Sequence, residues 1–275
     1  MNVKLLAFDL DGTTLVSHKN LSARNREALT AAGKAGVLLV PATGRIRSFL
    51  PREITDIPHV QTALTSNGAA VVDLKSGRRL HSAYIPNAVA VQVQKILSDY
   101  DLYLEYYAEG VAYTLRGNPE KALNDREFPA SKHHFLTKDY QFIDSFEEFV
   151  SAPSLCPEKI NMPFLRQEVR REIIDRVEKL EGLKWTSSIP DNLEINSAQA
   201  TKGQALSWLC GYLGIEPGEC MAVGDNGNDA DMLRFAGISV AVANASPEAA
   251  ENAKYMTAAC EKDGVADAIE RFILS

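Results

Sequence analysis

The sequence predicts an α/β protein: a doubly wound, mostly parallel sheet with an inserted α+β domain. Three observations carry that expectation. Short, continuous apolar runs ending in small polar or acidic residues occur in the first third of the chain and again in the last. Helical patterns alternate with them, the rhythm of a parallel sheet covered on both faces. Between the two stretches the chain changes character, to alternating segments joined by hairpin turns.

The first run is "LLAFDLDGTTL" at 5–15, where residues 3–9 read as a buried strand. "LSARNREALTAAGKAG" follows as a helix, with Ser22 as N-cap and Gly36 as its stop. "VLLVPATGR" and "HVQTALTSNG" read as a second and a third strand of the same kind. "VVDLKSGRRLHSAYI" reads as a hairpin turning at Ser76–Gly77, "NAVAVQVQKILSDY" as a helix, and "LYLEYYAEGVAYTL" as a hairpin turning at Glu109–Gly110. "KINMPF" and "LKWTSS" are short strands flanking a helix whose Val169, Ile173, Val177 and Leu180 share one face. Strand and helix then alternate to the end, through "KGQALSWLCGYLG", "CMAVGD", "NDADMLRFAG", "ISVAVAN" and "SPEAAENA". Ser246 caps this last helix and Pro247 suits its first turn. The expected division is 1–82 for the first part of the core, 83–189 for the insert and 190–275 for the second part of the core.

A chain of 275 residues buries a sizeable core without staples. Apolar residues make up 45% and no run is long enough to span a membrane, so no membrane partner is expected. The N-terminal apolar run is too short for a signal peptide, which makes the cytoplasm the expected location. Cys156, Cys210, Cys220 and Cys260 form no C-x-x-C pair and read as free thiols. The net charge of -7 argues against a nucleic-acid partner. A monomer or a homodimer is expected.

In an open parallel sheet, ligands sit beyond the carboxyl ends of the strands. Four strand ends carry groups capable of chemistry: Asp9 with Asp11, Thr43, Asn67, and Asp225. Asp9 and Asp11 are an i, i+2 pair, so an extended chain points both to one side and sends Leu10 to the other. One carboxylate of such a pair can attack phosphorus while the other moves a proton. Gly12 allows a sharp turn and the Thr13 side chain supports it. Carboxylates gathered at one sheet edge repel one another unless a cation joins them, and Mg²⁺ prefers hard oxygen ligands.

Taken in order, "DLDGTTL" at 9–15, "ATGR" at 42–45, Lys202 in "ATKG" and "VGDNGND" at 223–229 resemble the four motifs of the haloacid dehalogenase superfamily. "SNGA" at 66–69 and "EKDGVADAI" at 261–269 narrow the resemblance to its Cof-type branch, in which a cap is inserted between the second and third motifs. The resemblance implies a Rossmann-like core and a phosphatase. Asp9 would be the nucleophile and Asp11 the general acid and base. Thr43 and the Gly44 backbone would hold a phosphoryl oxygen, and Lys202 would offset charge between Asp9 and the phosphate. Asp225 would bind Mg²⁺ with Asp9 and the main-chain oxygen of Asp11, while Asn228 and Asp229 support phosphate and metal from a second layer. Arg45 either touches substrate or pairs with an acid, and Asn67 either touches substrate or shapes its loop.

The expected reaction is Mg²⁺-dependent hydrolysis of a small phosphorylated metabolite, a sugar phosphate first, through an aspartyl phosphate. Pyridoxal phosphate and flavin-precursor phosphatases are alternatives of the same chemistry. A phosphomutase and a non-catalytic binding protein are alternatives of other classes. Plainer readings hold elsewhere: Tyr103, Tyr106, Tyr107 and Tyr113 as sheet packing, Glu105 and Glu109 as surface glutamates, and His133–His134 as an exposed pair.

Overall fold

The computed structural model describes residues 3–17, 19–124, 139–187 and 191–275, and the His133–His134 pair lies outside them. The chain divides into two compact units. Met1–Arg45, Leu50–Ser82 and Thr201–Ser275 form the first, and Ile46–Phe49 with Ala83–Ala200 form the second. No helix among the described residues is long and apolar enough to cross a membrane.

The first unit is built around β1 (Leu5–Phe8). On one side of it lie β14 (Cys220–Gly224), β15 (Ile238–Ala241) and β16 (Tyr255–Met256), and on the other β4 (Leu38–Pro41), all parallel. The side-chain period of two explains why β1 is apolar throughout. Leu6 and Phe8 pack with Ala28, Leu29 and Ala32 of α1 (Ala23–Lys34) and with Val265 and Ile269 of α10 (Gly264–Phe272). Leu5 and Ala7 pack on the opposite face, against α7 (Lys202–Leu213), α8 (Ala230–Phe235) and α9 (Pro247–Asn252). A sheet covered on both faces leaves its strand ends as the place where polar groups can meet.

Several local signals act as the sequence suggests. Ser22 Oγ accepts from Asn25 N at 3.1 Å and Ser246 Oγ accepts from Ala249 N at 3.3 Å. Gly214 ends α7 in the left-handed conformation. Small elements complete the unit: a hairpin of β2 (Leu15–Val16) and β3 (Asn20–Leu21), and the short α2 (Arg52–Thr55).

One strand differs from expectation. β5 (Thr62–Thr65) does not extend the parallel sheet as a full member. It pairs antiparallel with β6 (Ala70–Asp73), which pairs with β7 (Arg79–Ser82), and it touches β4 through single parallel bridges at Leu39–Val60 and Ala42–Leu64. The reason is the short connection: β6 begins within a tight turn of β5, and such turns join only antiparallel strands. That turn, Ser66–Asn67–Gly68, has positive φ at all three residues.

The second unit is a six-stranded sheet ordered β10–β9–β8–β11–β13–β12. Its strands are β8 (Glu105–Ala108), β9 (Val111–Leu115), β10 (Tyr140–Ile143), β11 (Lys159–Met162), β12 (Leu183–Thr186) and β13 (Leu193–Ser197). All pairs are antiparallel except β9 with β10. The β8–β9 hairpin turns at Glu109–Gly110, both with positive φ, as a primed turn requires. On one face, Tyr106, Ile160 and Ile195 pack with α3 (Asn87–Leu97), α5 (Phe146–Ser151) and α6 (Gln167–Val177). The short α4 (Asn118–Asn124) follows β9.

The alternate positions of the same strands are polar and buried. Glu105 is not a surface glutamate: it is fully buried and accepts from Tyr107 Oη at 2.7 Å, Tyr140 Oη at 2.5 Å and Asn161 Nδ2 at 2.8 Å. Lys159 pairs with Glu194 at 2.9 Å in the same row. The boundary after the insert also differs. The sequence expectation ends the insert at 189, whereas the contacts carry it to Ala200, because β13 pairs with β11 and β12.

The turn after β5 yields a stability prediction. A Cβ on Gly68, at φ +92°, would lie 2.2 Å from the Thr201 carbonyl oxygen, while one on Gly36, at φ +90°, would meet nothing within 4 Å. Gly36→Ala should therefore cost roughly 1–2 kcal/mol from backbone strain alone. Gly68→Ala should cost about 2 kcal/mol more, from the added overpacking. Urea unfolding of both variants measures the difference, and equal losses would refute the close approach of this turn to the start of α7.

Candidate active site

Asp9 immediately follows β1, and its N–H still bonds to Val223 O at 3.0 Å. The carboxylate is thus placed by the sheet itself. Leu10 turns back into the core and is fully buried. The next residues form a turn held from inside. Leu10 O accepts from Thr14 N at 3.0 Å and Leu15 N at 2.8 Å, and the Thr14 hydroxyl donates to Asp9 O at 2.5 Å. Gly12 has φ +92°, and a Cβ there would stand 2.7 Å from Asp225 Oδ2. Only glycine lets the turn come this near the second acid.

Lys202 is the first residue of α7 and is fully buried. Its ammonium donates to Asp9 Oδ1 and to Asp229 Oδ1, each at 2.6 Å. Burial works against its charge, but Asp229 and Asp9 outweigh burial and hold Lys202 protonated well above its usual range. Thr201 caps the helix, accepting from Gln204 N at 3.1 Å. Asp229 is anchored at both oxygens, because Oδ2 accepts from Asp225 N at 2.9 Å and Asn226 N at 3.0 Å. Asp225 Oδ1 accepts from the Thr13 hydroxyl at 2.6 Å.

These groups are electrostatically unbalanced: one lysine stands among three aspartates. Burial raises the Asp9 carboxyl well above the usual range, Lys202 opposes the rise, and Asp229, Asp225 and Asp11 add to it. Burial and then Asp229 push Asp225 up to about 6. Oxygens of Asp9, Asp225 and Asp229 lie within 4.8 Å of one another. A hard dication fits this donor set, since it would offset both the burial and the mutual repulsion that raise the two carboxyls.

The i, i+2 spacing predicts Asp11 on the side of Asp9; it acts on the Asp9 carboxyl, and Arg45 holds it in a two-pronged pair, Nε to Oδ2 at 2.8 Å and Nη2 to Oδ1 at 2.6 Å. Of the two readings of Arg45, the pairing with an acid is the one this arrangement displays. Thr43 is fully buried, and its hydroxyl accepts from Arg45 N at 3.1 Å, across the half-buried Gly44. Asn67 N donates to Thr43 O at 3.0 Å, and Asn67 Oδ1 accepts from Asn228 Nδ2 at 3.2 Å. The residues expected from the sequence to form the site therefore all lie in the first unit, at or just beyond the carboxyl ends of β1, β4, β5 and β14 or at the start of α7.

Sequence reasoning missed two members. Thr13 reads as turn support, yet its hydroxyl holds Asp225, 212 positions away. Asn244 carries no local signal at all and reaches Gly12 O at 2.8 Å.

A family model described as haloacid dehalogenase-like hydrolase matches residues 6–269. Phosphatase YwpJ of Bacillus subtilis is 30% identical over 288 residues, covering 98% of this chain and 100% of that one. The 5-amino-6-(5-phospho-D-ribitylamino)uracil phosphatase YcsE of the same bacterium is 28% identical, covering 100% and 97%. The solved structure of a haloacid dehalogenase-like hydrolase from B. subtilis is 30% identical and superposes with a TM-score of 0.83, covering 98% and 100%.

The buried lysine gives a second prediction. Lys202→Met leaves Asp9 and Asp229 facing each other without their shared cation. Loss of one partner of a buried ionic group costs roughly 3–5 kcal/mol. The sign with pH follows from the carboxyl directions. With Lys202 gone, the folded state binds protons more tightly than the unfolded chain, so the variant loses stability as pH rises. Its deficit against the wild type should be largest near neutrality and should narrow toward pH ~4, the range of unfolded carboxylates. Urea unfolding across that range measures it, and a deficit independent of pH would contradict the electrostatic account.

Proposed function

The chain belongs to the haloacid dehalogenase-like hydrolases and is a phosphatase of that family; from that premise we propose that it hydrolyses monoesters of small hydroxyl-rich metabolites, sugar phosphates first, with Mg²⁺ and through a phosphoaspartyl group on Asp9. The observation that carries this reading is the buried Asp9–Lys202–Asp229 array at the end of β1, with Asp225 beside it.

In the first step, an Asp9 oxygen forms a bond to phosphorus while the bond from phosphorus to the alcohol oxygen breaks. Asp11 supplies the proton that the departing alkoxide takes. In the second step, Asp11 takes a proton from water, the water oxygen bonds to phosphorus, and the bond to Asp9 breaks, releasing inorganic phosphate. Arg45 holds Asp11 at rest and yields it for these transfers. Lys202 keeps Asp9 oriented and offsets the charge of the incoming dianion. Thr43 and the Gly44 backbone bind a phosphoryl oxygen, and Asn67 and Asn228 hold the same group from the β5 turn and the β14–α8 loop. Asp9 and Asp225, with the main-chain oxygen of Asp11, would hold Mg²⁺, and Asp229 braces them. The bound ion supplies positive charge against the phosphoryl oxygens.

A second reading keeps this chemistry on a phosphoribityl precursor of flavin. The relative that carries that activity in its name, at 28% identity over the whole chain, supports it. We assign the choice among leaving groups to the second unit, whose sheet carries Glu105, Asn161, Lys159 and Glu194 on one face.

Hydrolysis of p-nitrophenyl phosphate should depend on added Mg²⁺, stop on chelation, and be poorly supported by Ca²⁺, with its larger and looser shell. Asp9→Asn should remain folded and retain less than about a tenth of wild-type turnover, a loss above ~1.4 kcal/mol. Full activity in excess chelator, or a near-active Asp9→Asn, refutes the mechanism. Conversion of a sugar 1-phosphate into its isomer without phosphate release would point to a mutase.

Substitution of Glu105 or Asn161 should reorder kcat/KM among hexose, pentose and ribityl phosphates. The same variants should leave p-nitrophenyl phosphate within a few-fold of wild type. Equal losses on all substrates would remove the second unit from selectivity.

A further inference from the structure

Asn244 sits on an exposed turn after β15, where no burial demands that its carboxamide be paired. Both ends are paired nevertheless, and to backbone from two distant segments. Nδ2 donates to Gly12 O at 2.8 Å, and Oδ1 accepts from Cys260 N at 2.8 Å. The rest of the turn binds to the same neighbourhood. Val242 N donates to Gly224 O at 3.2 Å, Ser246 N to Asp225 O at 2.8 Å, and Ala243 N to Ala258 O at 3.3 Å. Four residues of this turn thus tie together the turn after β1, the end of β14 and the loop before α10.

The consequence is local and directional. Gly12 O belongs to the peptide that carries Thr13 N, so a bond to that oxygen fixes the plane from which the Thr13 side chain leaves. The Thr13 hydroxyl donates to Asp225 Oδ1 at 2.6 Å. Asp225 is therefore gripped twice from the 242–246 turn: at its main chain by Ser246, and at its carboxylate by Asn244 acting through Gly12 and Thr13.

We propose that Asn244 is a positioning residue that orients the Asp225 carboxylate for the divalent cation, through the Gly12–Thr13 peptide; this rests on the metal-dependent reading above. It touches neither substrate nor ion. Outer residues of this kind typically change metal affinity by roughly 10–100-fold.

The test compares wild type with Asn244→Ala, Asn244→Asp, Thr13→Val and the Asn244→Ala/Thr13→Val pair. The first readout is the Mg²⁺ concentration giving half of the ion's thermal-shift response, which needs no turnover. Asn244→Ala should raise it about 10-fold. Its melting temperature without Mg²⁺ should stay within about 4 °C, as for a loss near 1 kcal/mol in a chain of this size. Asn244→Asp keeps the acceptor for Cys260 N but faces Gly12 O with a second acceptor, so it should lose at least as much Mg²⁺ affinity as alanine. Because Asn244 acts through Thr13, the double variant should lose no more affinity than Thr13→Val alone. At saturating Mg²⁺, kcat on p-nitrophenyl phosphate should recover for Asn244→Ala while KM stays within about two-fold, the pattern expected when binding of phosphate itself is untouched.

Unchanged Mg²⁺ affinity in Asn244→Ala overturns the assignment, as does full affinity in Asn244→Asp or additive losses in the double variant. A wild-type protein that shows neither a Mg²⁺ shift nor hydrolysis overturns the functional reading together with it. A wild type that shows both, beside an unaffected Asn244→Ala, overturns the Asn244 role alone.

Discussion

One buried ammonium sets the terms for the first unit. Lys202 is fully buried at a helix N-terminus, where both burial and the helix dipole oppose a positive charge. It is sustained there only because two carboxylates from other parts of the chain meet it at 2.6 Å. Asp9 comes from the end of β1 and Asp229 from the loop after β14, so the pairing requires β1 and β14 to be neighbours with their carboxyl ends level. The parallel register supplies this, with Phe8 opposite Val223. α7 must then start at that edge rather than one turn away. Sheet order, helix entry and ion pairing are a single constraint viewed at three scales.

The same constraint explains why the site is held mostly by backbone. Asp229 spends one oxygen on Lys202 and the other on two main-chain N–H groups, so it has little freedom left. Asn67 reaches Asn228 from a turn whose Ser66 and Asn67 adopt positive φ although both are buried. Non-glycine residues hold that conformation at a cost of order 1–3 kcal/mol, and it persists where the surroundings over-determine it. Here they do: Ser66 N bonds to Arg45 O, Asn67 N bonds to Thr43 O, and Gly68 lies against Thr201. Strain in this one turn brings the loops after β4 and β5 and the start of α7 together.

Much of this was legible in the sequence, for a physical reason. A strand buried on both faces must be apolar throughout, so the polar residue that ends it stands out; Asp9, Thr43 and Asp225 are all found by that rule. β13 was not legible as part of the insert, because "NLEINS" alternates like any half-buried strand and its partner is decided by contacts with β11 and β12. The partner of Asp11 was not legible, because Arg45 lies 34 positions away. Glu105 looked like a surface residue because its three donors are 2, 35 and 56 positions away. Asn244 shows the limit most plainly: its partner is 232 residues distant, and nothing in "AVANAS" points to it.

Two buried ionic arrangements in one chain make an instructive contrast. In the second unit Lys159 meets Glu194, with the Tyr107 ring 4.8 Å from the ammonium, and Glu105 takes three neutral donors. Each carboxylate there is answered by groups of the protein itself. In the first unit one lysine faces Asp9, Asp225 and Asp229, and the carboxyls respond by holding their protons more tightly. An arrangement that is short of positive charge favours an external cation. An arrangement that is already satisfied has no such appetite. It can take a ligand hydroxyl only by exchanging one hydrogen bond for another, with little net gain for a good match and an unpaired buried group for a poor one. On the proposed function, the first would drive binding and reaction, and the second would discriminate.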